Sequence, residues 1–239
     1  MADKKPKNPE LISPRGPFVY PSLTKIDYGT KDYPNPAGAY KTKLRLPNEV
    51  AERWLAGPLK PIIERARAEA EDAFAKLPVA TRKKLGELKF EEPGTLEYDK
   101  TTEEETGFTL FNFKMTASGE RKDKTKWSQK PVIFDSRGAA LPNPPEIWGG
   151  SEGKLSFEAI PFFVPGTGAA GVSFRLKAVQ LLKLVQGGQR DAAGFGFGVE
   201  EGGFDANEYQ APAENAFSDD GAAPAGDDSG APDAGNDDF

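Results

Sequence analysis

The chain of 239 residues contains no cysteine and no histidine. Without cysteine there are no disulfides, no thiol nucleophile and no thiolate metal ligand, which fits a reducing compartment. Without histidine the commonest general base and the commonest zinc ligand are gone, so a Ser-His triad or a Cys/His zinc site is excluded. No apolar run approaches the roughly 18 residues of a membrane helix, and the amino end lacks a signal-peptide pattern, so neither spanning nor secretion is expected. The glycine-rich pieces match neither the dinucleotide fingerprint nor the phosphate-binding loop, because none follows a strand and opens a helix.

What is present is an uneven distribution of charge. The formal net charge is -6, from 31 Lys and Arg against 37 Asp and Glu. From Gln189 onward there are 13 acidic residues and one basic residue, Arg190, so residues 1–188 carry 30 basic against 24 acidic, a net of +6. A basic body suits a polyanionic partner, and an attached polyanion is its intramolecular competitor. The stretch 211–239 holds eight acidic residues and no basic one, in a background of Ala, Gly, Pro, Ser and Asn with Phe217 and Phe239. Such a segment buries too little apolar surface to offset its ordering entropy and is expected to be a disordered acidic C-terminal tail. Its plainest reading is a solubilising tail; the ending Asp237-Asp238-Phe239 and the inverted charge of the body point further.

The domain organisation expected is a folded domain over 1–188, a Gly-rich linker over 189–210 and the tail over 211–239. Residues 1–38 are rich in Pro and Lys and are expected to form a largely irregular arm. Tyr40, Thr42, Leu44 and Leu46 alternate with Lys41, Lys43 and Arg45, the pattern of a half-buried strand with three cations outside. Asn48 is placed to cap a helix reaching about Leu77, with Trp54, Leu59, Ile62, Ala66, Ala70 and Phe74 on its apolar stripe. Pro58 and Pro61 should kink it early. A short helix is expected at 81–85 and a long loop over 86–107. Further strands are expected at Phe108–Ala117, Trp127–Asp135, Lys154–Val164 and Val172–Leu184, with a basic loop from Gly119 to Lys126. Five strands and an inserted long helix without a βαβ rhythm suggest a mostly β fold, a five-stranded, partly open barrel of the OB-fold type.

Single-stranded nucleic acid offers phosphates to cations and base faces to aromatic rings. The candidate DNA-binding residues are therefore Lys41, Lys43 and Arg45; Lys114; Arg121, Lys122, Lys124 and Lys126 beside Trp127; Phe162; and Arg175 with Lys177. A tryptophan adjoining four cations is poorly explained as core, though a strand-start residue packed on a neighbour is the plain alternative. No catalytic residue, metal or cofactor is expected. A carboxylate-based nuclease is disfavoured because the clustered acids lie in loops and tail. RNA and duplex binding stay open, since no residue identifies a 2′-hydroxyl contact.

The order of several motifs resembles the single-stranded DNA-binding protein of T-seven-type phages. They are Asp27-Tyr28-Gly29, Asn35-Pro36-Ala37-Gly38-Ala39-Tyr40-Lys41, Pro47-Asn48, Phe113-Lys114, Ala117-Ser118, Asp135-Ser136-Arg137-Gly138, Gly149-Gly150-Ser151, Lys154-Leu155 and the terminal Asp238-Phe239. The resemblance implies an OB-fold with a long helix beside the barrel, and coating of single-stranded DNA at the replication fork in the cytoplasm of an infected bacterium. It also implies a tail that contacts the phage DNA polymerase and primase-helicase and competes with DNA for the groove, often in a homodimer. In that tail Asp233, Asp237, Asp238 and Phe239 are the partner-binding candidates. Lys114 falls where the family has a DNA-facing lysine, and Phe162 where it has an exposed aromatic. The family's second stacking aromatic, two residues beyond that lysine, is Thr116 here. Either that platform is lost or Trp127 replaces it.

Overall fold

A computed structural model of the protein describes residues 8–186. The arm's first seven residues and the linker and tail expected beyond 188, with Phe239, lie outside the described residues.

The chain begins with β1 (Glu10–Ile12) and the long strand β2 (Gly16–Gly29). The irregular arm expected over 1–38 is thus corrected at residues 10–12, 16–29 and 34–38, which are strand. Its prolines obscured a strand whose Phe18 and Leu23 are buried in the core. β2 accommodates them because its ladder is interrupted: the register shifts between Val19 and Ser22, where Tyr20 takes a left-handed φ of 49° ahead of Pro21. A bulge of this kind admits a proline that a continuous ladder would reject.

β3 (Pro34–Pro47) follows, with Tyr40, Thr42, Leu44 and Leu46 buried and the intervening cations outside, as the alternation requires. The helical segment comprises α1 (Asn48–Trp54), a π-helical turn at Leu55–Leu59, and α2 (Lys60–Ala75). The kink falls at Gly57-Pro58, where Gly57 leaves helical geometry and Pro58 supplies no N–H. Asn48 does not cap the helix; its Oδ1 accepts from the Thr109 hydroxyl at 2.9 Å. α2 turns Ile62, Ala66 and Ala70 to the barrel. Phe74, expected on the same stripe, is only half-buried.

α3 (Val79–Leu85) is the short helix expected at 81–85, while β4 (Lys89–Glu91) and β5 (Gly94–Tyr98) interrupt the long loop expected over 86–107. Then come β6 (Glu105–Thr116), the hairpin strands β7 (Ser118–Glu120) and β8 (Lys126–Ser128), β9 (Val132–Phe134), β10 (Glu152–Val164) and β11 (Ala169–Lys183). The single strand expected over 127–135 is therefore two: β8 pairs β7, and β9 pairs β11 in parallel. Pro131 separates them.

The barrel is the ring β2–β3–β6–β11–β10, closed by the contact of β10 with β2 at Gly153–Gly16 and Glu152–Pro17. β6 and β11 run parallel and the other ring pairs antiparallel. This is the five-stranded OB-fold arrangement. Inside, Phe18, Phe111, Phe113, Phe157, Leu44, Leu155 and Leu176 are fully buried. Each such side chain contributes about 1.5–3 kcal/mol on leaving water. Trp54 sits against this cluster, its ring 4.9 Å from Phe111 edge-on and 5.8 Å from Phe157.

Candidate nucleic-acid interface

On the outside of the barrel the strand registers align three cations. Lys41 on β3 stands opposite Lys114 on β6, and Lys114 stands opposite Arg175 on β11. Like charges directly opposite one another are unfavourable, so the row persists only if something offsets it. Asp27 on β2 does so at one end, its Oδ2 lying 2.6 Å from Lys41 Nζ. Its Oδ1 accepts from the Gly29 N–H at 2.7 Å. The hydrogen bond from Lys41, then that from Gly29, with the Lys114 charge adding, holds the Asp27 carboxyl below the usual carboxylate range. At the other end Arg175 Nη1 lies 3.2 Å from Glu158 Oε2. Lys114 has no ion-pair partner among the described residues.

Beside the row is a cleft of about 790 Å³, lined on one side by Lys114 and Thr116 and on the other by Ser173, Arg175 and Lys177. It opens because β6 touches β11 only at Phe113–Phe174 and Lys114–Arg175, before β9 takes over at Ala178–Gln180. Arg121, Trp127, Ser128 and Gln129 of the β7–β8 hairpin line the gap. Gln129 pins the hairpin's base to β6, donating from Nε2 to the Thr116 carbonyl at 2.8 Å and from its backbone N–H to that of Ala117 at 2.8 Å. The hairpin loop is closed by Asp123, which accepts from the Thr125 N–H at 3.0 Å, and turns through Lys124 at a φ of 64°. Trp127 is half-buried and opposite Gly119, close enough that a Cβ there would approach its ring to 2.7 Å. The arrangement sets positive charge and an indole along one trough, with no acidic side chain in its lining. Among the described residues no group of three or more acidic side chains is placed to hold a metal ion.

The family model described as "Single-stranded DNA-binding protein, Bacteriophage T7" matches residues 16–184. The chain belongs to this family. The family is one of DNA-binding proteins rather than enzymes. The chain is 31% identical over 202 residues to the single-stranded DNA-binding protein of Escherichia phage T7, covering 79% of this chain and 80% of that protein. It is 30% identical over 204 residues to the counterpart of Enterobacteria phage T3, covering 80% and 82%. The crystal structure of gp2.5, the single-stranded DNA-binding protein encoded by bacteriophage T7, superposes with a TM-score of 0.60 at 27% identity, covering 83% of this chain and 99% of that one.

Within this member of the T7-type family, the candidate DNA-binding residues picked out in the sequence do not all share one place. Lys114, Arg121, Trp127, Arg175 and Lys177 line the cleft, and Lys41 adjoins it through Lys114. Lys122, Lys124 and Lys126 are exposed on the hairpin without lining it. Lys43 is half-buried opposite Asn112, one step from the row. Arg45 lies at the far end of β3, held by Glu97 at 2.7 Å and packed 3.5 Å over the Phe108 ring. Phe162 is half-buried opposite Gly171, where a Cβ would meet its ring at 3.1 Å. It lies two residues from Ile160, which lines the cleft. Its neighbour Phe163 is half-buried as well. Reasoning from sequence missed Asp27, Glu158 and Gln129. Only Asp27 carried a signal, the turn-forming Asp-Tyr-Gly.

Proposed function

We propose that the chain coats single-stranded DNA during phage replication. Phosphates follow Lys41, Lys114, Arg175 and Lys177 and the hairpin cations, while bases stack on Trp127 and Phe162. The observation that carries this reading is the meeting, in one cleft, of four cations from three elements with the indole of Trp127. Membership of the T7-type family supports the same ligand. Trp127 then supplies a platform where Thr116 offers none.

The reading extends to the acidic segment. Thirteen acids beyond residue 188, against a body of net +6, make 189–239 a mimic of the ligand. The tail competes with DNA for the groove, and when displaced presents Asp233, Asp237, Asp238 and Phe239 to the phage polymerase and primase-helicase. The protein acts as a homodimer in the cytoplasm of the infected host.

The test is a fluorescence titration of the full chain and of a chain ending at residue 210, across salt. Oligo-dT should quench tryptophan emission, with log K falling by about 0.7 per phosphate neutralised against log salt. The truncated chain should bind more tightly and lose polymerase contact. Absence of binding by both chains at low salt overturns the reading, and preference for oligo-U or duplex redirects it to those ligands.

A further inference from the structure

Two of the three aligned cations are paired with carboxylates of the same sheet. Lys41 is clamped by Asp27 at 2.6 Å and Arg175 by Glu158 at 3.2 Å. In each pair the carboxylate is the less exposed partner: 24% against 50% for Asp27 and Lys41, 17% against 55% for Glu158 and Arg175. Both carboxylates have second anchors that keep them in place. Asp27 accepts from the Gly29 N–H, and Glu158 Oε1 accepts from Asn8 Nδ2 at 3.2 Å. The acids are thus fixed parts of the sheet, while the cationic heads reach solvent.

We propose that Asp27 and Glu158 are built-in counter-anions that weaken DNA binding by occupying the outer cations of the row, leaving Lys114 as the first point of phosphate contact. The inference rests on the DNA-binding reading above. A half-exposed ion pair is weak, and a DNA strand delivers several phosphates at once, so the pairs are exchanged stepwise once Lys114 is engaged. Binding is thereby held to an affinity from which the protein can be cleared ahead of a polymerase. This differs from competition by the tail, because it resides wholly in β2 and β10.

The experiment titrates oligo-dT against the full chain, Asp27→Asn, Glu158→Gln and the double variant at several salt concentrations. Both substitutions keep an oxygen for Gly29 or Asn8. Asp72→Asn, which removes a similar charge from an ion pair with Lys76 at the end of α2, a helix none of whose residues lines the cleft, serves as control. Each single variant should bind about three-fold more tightly and the double about ten-fold. The log-log salt slope should steepen by about 0.7 per released cation. The control should change affinity by less than about 1.5-fold, since it alters an exposed surface charge outside the cleft, which salt screens. Thermal melting followed by circular dichroism identifies variants that remain folded, and the two ends of the row provide independent readings. Unchanged or weaker binding by folded variants, or an equal gain in the control, overturns the inference while leaving the DNA-binding reading intact. If the unmodified chain does not bind, both fall.

Discussion

Trp127 lies against Gly119, its partner across the β7–β8 hairpin, so closely that any β-carbon there would overlap the indole. The hairpin thus has a seat for one ring. Gly119→Val should dislodge the indole, changing tryptophan emission and weakening oligo-dT binding. Trp127→Ala should weaken it by about 1–3 kcal/mol, the usual contribution of one stacked base. Because the hairpin is peripheral to the core, its melting temperature should change by only a few degrees. A binding loss under about 0.5 kcal/mol would remove Trp127 from the interface.

Lys114 and Arg45 separate binding from stability. Lys114→Ala should reduce the salt slope by about 0.7 and weaken binding several-fold while leaving stability nearly unchanged. Arg45→Ala should cost about 1 kcal/mol of stability, from its ion pair with Glu97 and its cation–π contact with Phe108. Its effect on oligo-dT binding should be smaller than that of Lys114→Ala. Paired denaturant melts and salt titrations check both.

Glu97 gives a pH dependence with a definite sign. The hydrogen bond from Arg45, followed by that from the Thr106 hydroxyl at 2.6 Å, lowers its carboxyl from the ordinary value. A lowered folded value means the stabilisation is fully present above the unfolded value of about 4.3 and is lost as pH falls through the folded one. The stability difference between the unmodified chain and Glu97→Gln should therefore be constant from about pH 7 to pH 5 and shrink below about pH 4. A difference that grows on acidification contradicts the assignment.

Phe157 touches Trp54, Phe113 and Phe174, with the closest centroid at 4.7 Å. Phe157→Ala should cost about 3–5 kcal/mol by chemical denaturation. At temperatures where the variant remains folded, oligo-dT affinity should change little, since Phe157 is not among the residues lining the cleft.

The alternation in β3 was legible because burial of one face leaves a two-residue signature, and Tyr40 to Leu46 carries it without interruption. β2 was not, because the bulge at Tyr20-Pro21 breaks that period and prolines ordinarily argue against a strand. The run 127–135 read as one strand because its composition does not reveal that its two ends pair with different partners. In the site, the sequence placed Lys41, Lys43 and Arg45 on one face but could not sort them. What distinguishes them is Asp27 and Glu97, which lie 14 and 52 residues away and arrive through strand pairing. Lys114 and Arg175 were separately visible as outward cations; that they stand side by side follows from the β6–β11 register alone.

That register is brief. β6 meets β11 through two residue pairs, and β10 meets β2 through two, whereas β10 and β11 are joined along their whole length. The ring is therefore a β2–β3–β6 panel and a β10–β11 panel stitched at two seams, with Lys114 and Arg175 forming one of the stitches. A strand drawn between these residues would bear on one of the two short seams of the wall, so oligo-dT binding should alter amide exchange at Phe113–Lys114 and Phe174–Arg175.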